Sequence, residues 1–200
     1  MARNIAVGIL LLVGVLLIAP CAKADGVFTA TLLGSNEVAP TGSTATGFIV
    51  VTLSGNLLSV NESFTGLVGG PAAAAHIHCC APVGANAGVA VPFTGFPAAT
   101  SGTYMNTFDL TMFSVYNSAF LTANGGTAAS AESALLAGLL SGEAYANIHD
   151  ATFPGGEIRG QLTQTTPTPA PSAMMLLGMG LAGLVAWRKW RGGLPTLSSE

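Results

Sequence analysis

Residues Ala45–Phe64 read ATGFIVVTLSGNLLSVNESF, and this stretch decides the fold class. Its first half, Ala45 to Leu53, is rich in β-branched residues, which suit a pleated strand better than a helix. Gly55-Asn56 supplies a turn, and Leu57 to Phe64 resumes as a second strand, so the segment predicts a β-hairpin. Outward from it, Val27 to Leu33 reads as a preceding strand, and Ala74 to His78 as a short one entered through Gly69-Gly70-Pro71. In Gly102 to Phe113, Tyr104, Asn106, Phe108 and Leu110 recur at a spacing of two. Ala128 to Leu140 is the one good helix candidate, with Leu135, Leu136, Leu139 and Leu140 on one face and Gly142 as its stop. Two further strands, Glu143 to His149 and Gly156 to Thr163, flank a turn at Phe153-Pro154-Gly155-Gly156. Seven or so short strands with Gly/Pro turns predict a mainly β protein: an antiparallel, Greek-key-like β-sandwich with one short helix.

Both ends of the chain differ from this middle. Arg3 precedes an apolar run from Ile5 to Ala19, and Ala22-Lys23-Ala24 places small residues where a signal peptidase needs them. Residues 1–24 therefore predict a signal peptide cleaved before Asp25. The run is short for a span of about 20 residues. After a domain at 25–163, a Pro/Thr linker occupies 164–171, in which repeated proline blocks helix continuation. Ser172 to Trp187 is uncharged, and Arg188-Lys189-Trp190-Arg191 closes it, so 172–191 predicts a transmembrane helix with a cytoplasmic basic flank and 192–200 a short tail.

Charge narrows the partners. Between Asp25 and Pro171 the acidic residues are Asp25, Glu37, Glu62, Asp109, Glu132, Glu143, Asp150 and Glu157, and the only basic residue is Arg159. Such a surface repels phosphate backbones and anionic lipid headgroups, which excludes nucleic-acid binding.

Three histidines carry the chemistry that the sequence offers. His76 and His78 lie two apart on an expected strand, so both rings leave one face while Ile77 turns to the other. His149 ends another strand and shares a face with Tyr145 and Asn147. If the two strands are neighbours, three imidazoles converge, a donor set suited to copper or zinc. The competing reading is structural, with each ring bonded to backbone carbonyls. Cys79 and Cys80 are the cysteines left after signal cleavage, and in an oxidising compartment they form a vicinal disulfide, pair between molecules or join the histidines as ligands. Glu157 and Arg159 share a strand face and are expected to form a structural pair. Gly155-Gly156 fits a turn needing positive φ, and Glu37 beside Asn36 fits a turn. No Ser/His/Asp order, nucleotide fingerprint or paired-carboxylate spacing stands out, so no enzyme is expected.

Two resemblances are carried by longer motifs. Pro169-Ala170-Pro171, the short Gly-containing apolar segment and Arg188, Lys189 and Arg191 resemble a PEP-CTERM sorting signal, with Ala170 where the family's Glu stands. That resemblance implies processing by an exosortase-type enzyme and, in exopolysaccharide-secreting bacteria, display at the surface or in the matrix. Before processing, the protein would be anchored in the inner membrane facing the periplasm. The middle is similar to the CHRD domain. The matching pieces are Leu33-Gly34-Ser35-Asn36-Glu37-Val38-Ala39-Pro40, Ala75-His76-Ile77-His78, Gly142-Glu143-Ala144-Tyr145-Ala146-Asn147-Ile148-His149, and Phe153-Pro154-Gly155-Gly156-Glu157-Ile158-Arg159-Gly160-Gln161-Leu162. This implies an extracellular β-rich module, concerned with protein binding in chordin-like proteins, and no established reaction. For a surface-displayed domain, exopolysaccharide or other surface proteins are the expected partners. A weaker, local similarity of the His-x-His strand to copper–zinc superoxide dismutase implies the alternative, a metal-dependent redox enzyme. The third alternative is a purely structural matrix protein.

Overall fold

In the computed structural model, residues 25–166 and Trp187 are described. The elements run in chain order as β1 Gly26–Leu33, β2 Thr46–Ser54, β3 Leu57–Thr65, β4 Ala74–His78, β5 Val89–Pro92, β6 Gly102–Asp109, α1 Ser118–Ala123, α2 Ala128–Ser141, β7 Tyr145–His149, β8 Ile158–Gln161 and β9 Thr163–Thr166. The hairpin read from Ala45–Phe64 is β2–β3, paired in unbroken register from Thr46↔Thr65 to Ser54↔Leu57 around Gly55, whose φ is 59°. Positive φ there is what glycine allows without steric cost.

Every strand pairing is antiparallel, and the order across the sheet is β5-β4-β7-β8-β1-β2-β3-β6, with β9 also on β1. The mainly β, antiparallel class with one main helix thus stands, but the strands form one continuous sheet and not two separately bonded ones. The reason lies in β1. It bonds β2 along its whole length, and its other edge takes β9 and then β8, at Leu33↔Arg159. The expected strand from Gly156 to Thr163 is accordingly split at Leu162, whose N–H donates instead to the Ala144 carbonyl at 2.9 Å. The sheet curls far enough to bring side chains from its two ends together. Phe93, just after β5, stacks on Tyr104 and Phe108 of β6, with ring centroids 5.3 and 6.0 Å apart.

The period-2 alternation sorts the side chains of each strand. Phe28, Leu32, Ile49, Val51, Leu53, Leu58 and Val60 join Ile77, Ile148, Ile158 and the helical Ala131, Leu135 and Leu139 in one buried cluster. Helix α2 opens with a capping box, in which the Thr127 hydroxyl accepts from the Ser130 N–H at 3.1 Å and the Ser130 hydroxyl accepts from the Thr127 N–H at 3.3 Å. It ends at Gly142 with φ 72°, as expected. Strand β5 and helix α1 have no counterpart in the sequence reading: VAVP is four residues long, and the short α1 depends on its Asn117 cap.

No helix among the described residues is long and apolar enough to cross a membrane. The expected signal peptide (1–24) and sorting segment (172–191), apart from Trp187, lie outside the described residues.

Candidate metal centre

Strands β4 and β7 pair as Ala74↔His149, His76↔Asn147 and His78↔Tyr145, and β8 continues the ladder with Asn147↔Arg159 and Tyr145↔Gln161. Alternation then places His76, His78, Tyr145, Asn147, His149, Arg159 and Gln161 on one face. The opposite face presents Ala75, Ile77, Ala146, Ile148 and Ile158 to the core. A polar patch therefore forms where three strands, β4, β7 and β8, turn their non-core side toward the loops.

On that patch the three histidines converge. Their ligand nitrogens all lie within 4.8 Å of one another, and the Nε2 atoms of His78 and His149 are 3.4 Å apart. Nδ1 of His78 lies 3.0 Å from the Ala87 carbonyl, and Nδ1 of His149 lies 3.0 Å from the Pro154 carbonyl. A carbonyl only accepts, so both Nδ1 atoms carry the proton and both Nε2 atoms present lone pairs. Two lone pairs face each other with no proton between them, the arrangement that a cation relieves. His76 Nδ1 is buried without a hydrogen-bond partner.

Burial pushes His76 down to about 4, helped by the neighbouring His149 and His78. His78 also goes down to about 4 through burial, against the pull of its Ala87 hydrogen bond. Burial lowers His149 as well, opposed by the Pro154 carbonyl and Asp150. All three rings are therefore neutral at pH 7, the form that binds metals.

The loop after β4 locks this geometry. His78 stacks flat on Tyr145, at 4.7 Å and 1°, and the Arg159 guanidinium carbon sits 3.4 Å from the Tyr145 ring centroid. Arg159 donates to the Ala85 carbonyl (2.8 Å) and to Asn86 Oδ1 (3.0 Å), while the Tyr145 hydroxyl accepts from the Ala87 N–H (3.1 Å). Three side chains from β4, β7 and β8 thus hold the segment that carries the Ala87 carbonyl.

The remaining expected residues fall elsewhere. Cys79 and Cys80 are joined as a vicinal disulfide across a cis peptide, and both sulfurs press against Gly138 of α2, so they are not ligands beside the histidines. The residue after His78 takes the opposite face of the strand, which aims it at the helix. The expected Glu157–Arg159 pair does not form either. Glu157 is fully buried and accepts from the Ser43 hydroxyl (2.5 Å), the Val68 N–H (2.8 Å) and the Gly69 N–H (3.2 Å). Those loop donors satisfy the carboxylate before a strand neighbour can. The carboxyl group that feels Arg159 is Glu37, which burial nevertheless pushes up to about 7. Gly156 does adopt positive φ, 124°, where a Cβ would collide with Asn147 and Glu37.

A family model described as the CHRD domain matches residues 28–162, well over half of the chain. The chain belongs to the CHRD-domain family. A second model, the PEP-CTERM protein-sorting motif, matches residues 167–191 and implies export with an exosortase-processed sorting tail. No curated protein and no solved structure matches the chain.

In this CHRD domain, the structure adds a buried contact and an unpartnered carboxyl group that the sequence reading did not foretell. Asn147 Nδ2 donates to Glu37 Oε2 at 3.5 Å, beside the cluster. Glu62, fully buried in β3 between Ile49 and Tyr104, has no partner for either oxygen, and burial pushes it up to about 8. The signal for Glu62 was present: Leu58, Val60, Glu62 and Phe64 recur every second residue on the apolar face.

Proposed function

We propose that the mature CHRD domain is an exported, non-catalytic surface or matrix module that holds copper or zinc on His76, His78 and His149. One observation carries this reading: three neutral imidazoles, two of them oriented by backbone carbonyls, bring their ligand nitrogens within 4.8 Å of one another. Carbonyl hydrogen bonds to the distal ring nitrogen are how metal-binding histidines are generally held.

In this reading, signal peptidase cleaves before Asp25, the segment 172–191 anchors the protein in the inner membrane facing the periplasm, and the exosortase-type enzyme releases it to the surface. The outward face of β1, β2, β3 and β6 suits a neutral partner such as exopolysaccharide. Its rows Thr31–Phe48–Ser63–Thr103 and Thr29–Val50–Asn61–Met105 carry no charge, and Phe48 and Met105 are exposed.

The test is elemental analysis of the protein purified untagged from the periplasm, beside the His76→Ala/His78→Ala variant. Near-stoichiometric copper or zinc, lost in the variant, supports the site. No metal in either protein would leave a purely structural or partner-binding module. Turnover that disappears on substituting all three histidines would replace the module with a metal-dependent redox enzyme.

A further inference from the structure

The spacing of the two oriented nitrogens selects among metals. Two nitrogens bound at about 2.0–2.1 Å to one ion and 3.4 Å apart subtend about 108–116° at that ion. That is a tetrahedral angle. Adjacent positions of a square plane would bring them to about 2.8–3.0 Å and opposite positions to about 4 Å, so the pair fits neither arrangement of tetragonal Cu(II). His76, half-buried and with Nδ1 lacking a partner, is the ring left to complete the set. The three ligand nitrogens spread over as much as 4.8 Å. Two ligands at about 2.1 Å from one ion lie at most about 4.2 Å apart, so binding draws His76 inward. The cluster is entirely imidazole, since the sulfurs that favour Cu(I) are bonded to each other against α2.

Resting on the metal-binding reading above, we infer that the site takes Zn(II) in tetrahedral coordination, with His76, His78 and His149 as three ligands and the fourth position open to water or a small anion. Three neutral ligands leave the ion's double charge uncompensated, which favours an anion in that fourth place. The Nε2 lone pairs of His78 and His149 are fixed by Ala87 and Pro154, so the angle between them is built in before the ion arrives.

Cobalt(II) reports coordination number directly. The protein is stripped of metal, loaded with Co(II) and titrated with azide while its visible spectrum is followed. Expected are d–d bands several-fold stronger than those of hexaaqua cobalt, which shift as azide takes the open position. Weak bands of six-coordinate cobalt would overturn the geometry, and strong bands that azide leaves unmoved would overturn the open position. Binding of Cu(II) with a tetragonal electron-spin-resonance spectrum, undisplaced by excess Zn(II), would overturn the choice of metal while leaving the metal-binding reading intact. Retention of no ion at all would remove that reading itself and this inference with it.

Discussion

A carboxyl group on the apolar face of a central strand has no water to ionise into, and Glu62 shows the result. It is fully buried, unpartnered, and raised from 4.5 to about 8 by burial alone. Between those values the folded protein keeps a proton that the unfolded chain has lost. Stability therefore falls as pH rises through that window, by about 1.4 kcal/mol per unit. Glu62→Leu removes both the orphaned group and its proton. It is expected to stabilise by about 1–3 kcal/mol at pH 5 and by more at pH 8; urea midpoints at the two pH values measure the gap, and a gap independent of pH would refute the argument. His76 and His78 were readable as a pair from period two alone. The convergence of His149 was not, because it needs β4 beside β7, strands that are not consecutive. Nor could the sequence announce the Ala87 and Pro154 carbonyls, since every residue offers one.

Between elements, two contacts outside the apolar core are decisive. Helix α2 touches the Cys79–Cys80 loop at Gly138, where a Cβ would run into both sulfurs. Gly138→Ala is expected to cost about 1–3 kcal/mol by overpacking. Most of that loss should vanish in a Cys79→Ala/Cys80→Ala background, where thermal melts of the four proteins give the coupling; undiminished loss would mean that the helix, not the contact, suffers. Arg159 is the second contact, reaching from β8 across Tyr145 to Ala85 and Asn86. Arg159→Met keeps the stem but releases the loop whose Ala87 carbonyl orients His78. Since outer-shell changes typically cost 10–100-fold in metal affinity, zinc binding should weaken by about that factor. Unchanged affinity in a zinc titration would show that His78 holds its tautomer unaided. The hairpin, β1 and α2 were legible because their apolar spacing is local. The single curled sheet was not, because β1 accepts partners on both edges only once β8 and β9 arrive from far along the chain.

At the scale of the whole molecule, two sets of buried groups act on stability in opposite senses. Glu37 and Glu62 are raised from 4.5 to about 7 and about 8, so each makes stability fall as pH rises above 4.5. His76 and His78 are lowered from 6.5 to about 4, so each makes stability fall as pH drops below 6.5. Between about pH 4.5 and 6.5 both sets operate and their slopes oppose. Above 6.5 only the glutamates still change, and below 4.5 only the histidines do. The metal-free protein is thus expected to show a flat stability maximum in mildly acidic solution, with stability declining toward pH 8 on one side and pH 4 on the other. Zinc changes one arm alone. It binds the neutral rings of the folded state, adding about 2.7 kcal/mol when present at a hundred times its dissociation constant, and that gain is lost once acid protonates the ligands. The glutamates do not touch the ion, so the alkaline decline should keep its slope. Melting temperatures from pH 4 to 8, with and without zinc, measure both arms. A zinc-dependent change in the alkaline slope would mean that Glu37 is coupled to the metal through Asn147, and the separation of the two sets would have to be abandoned.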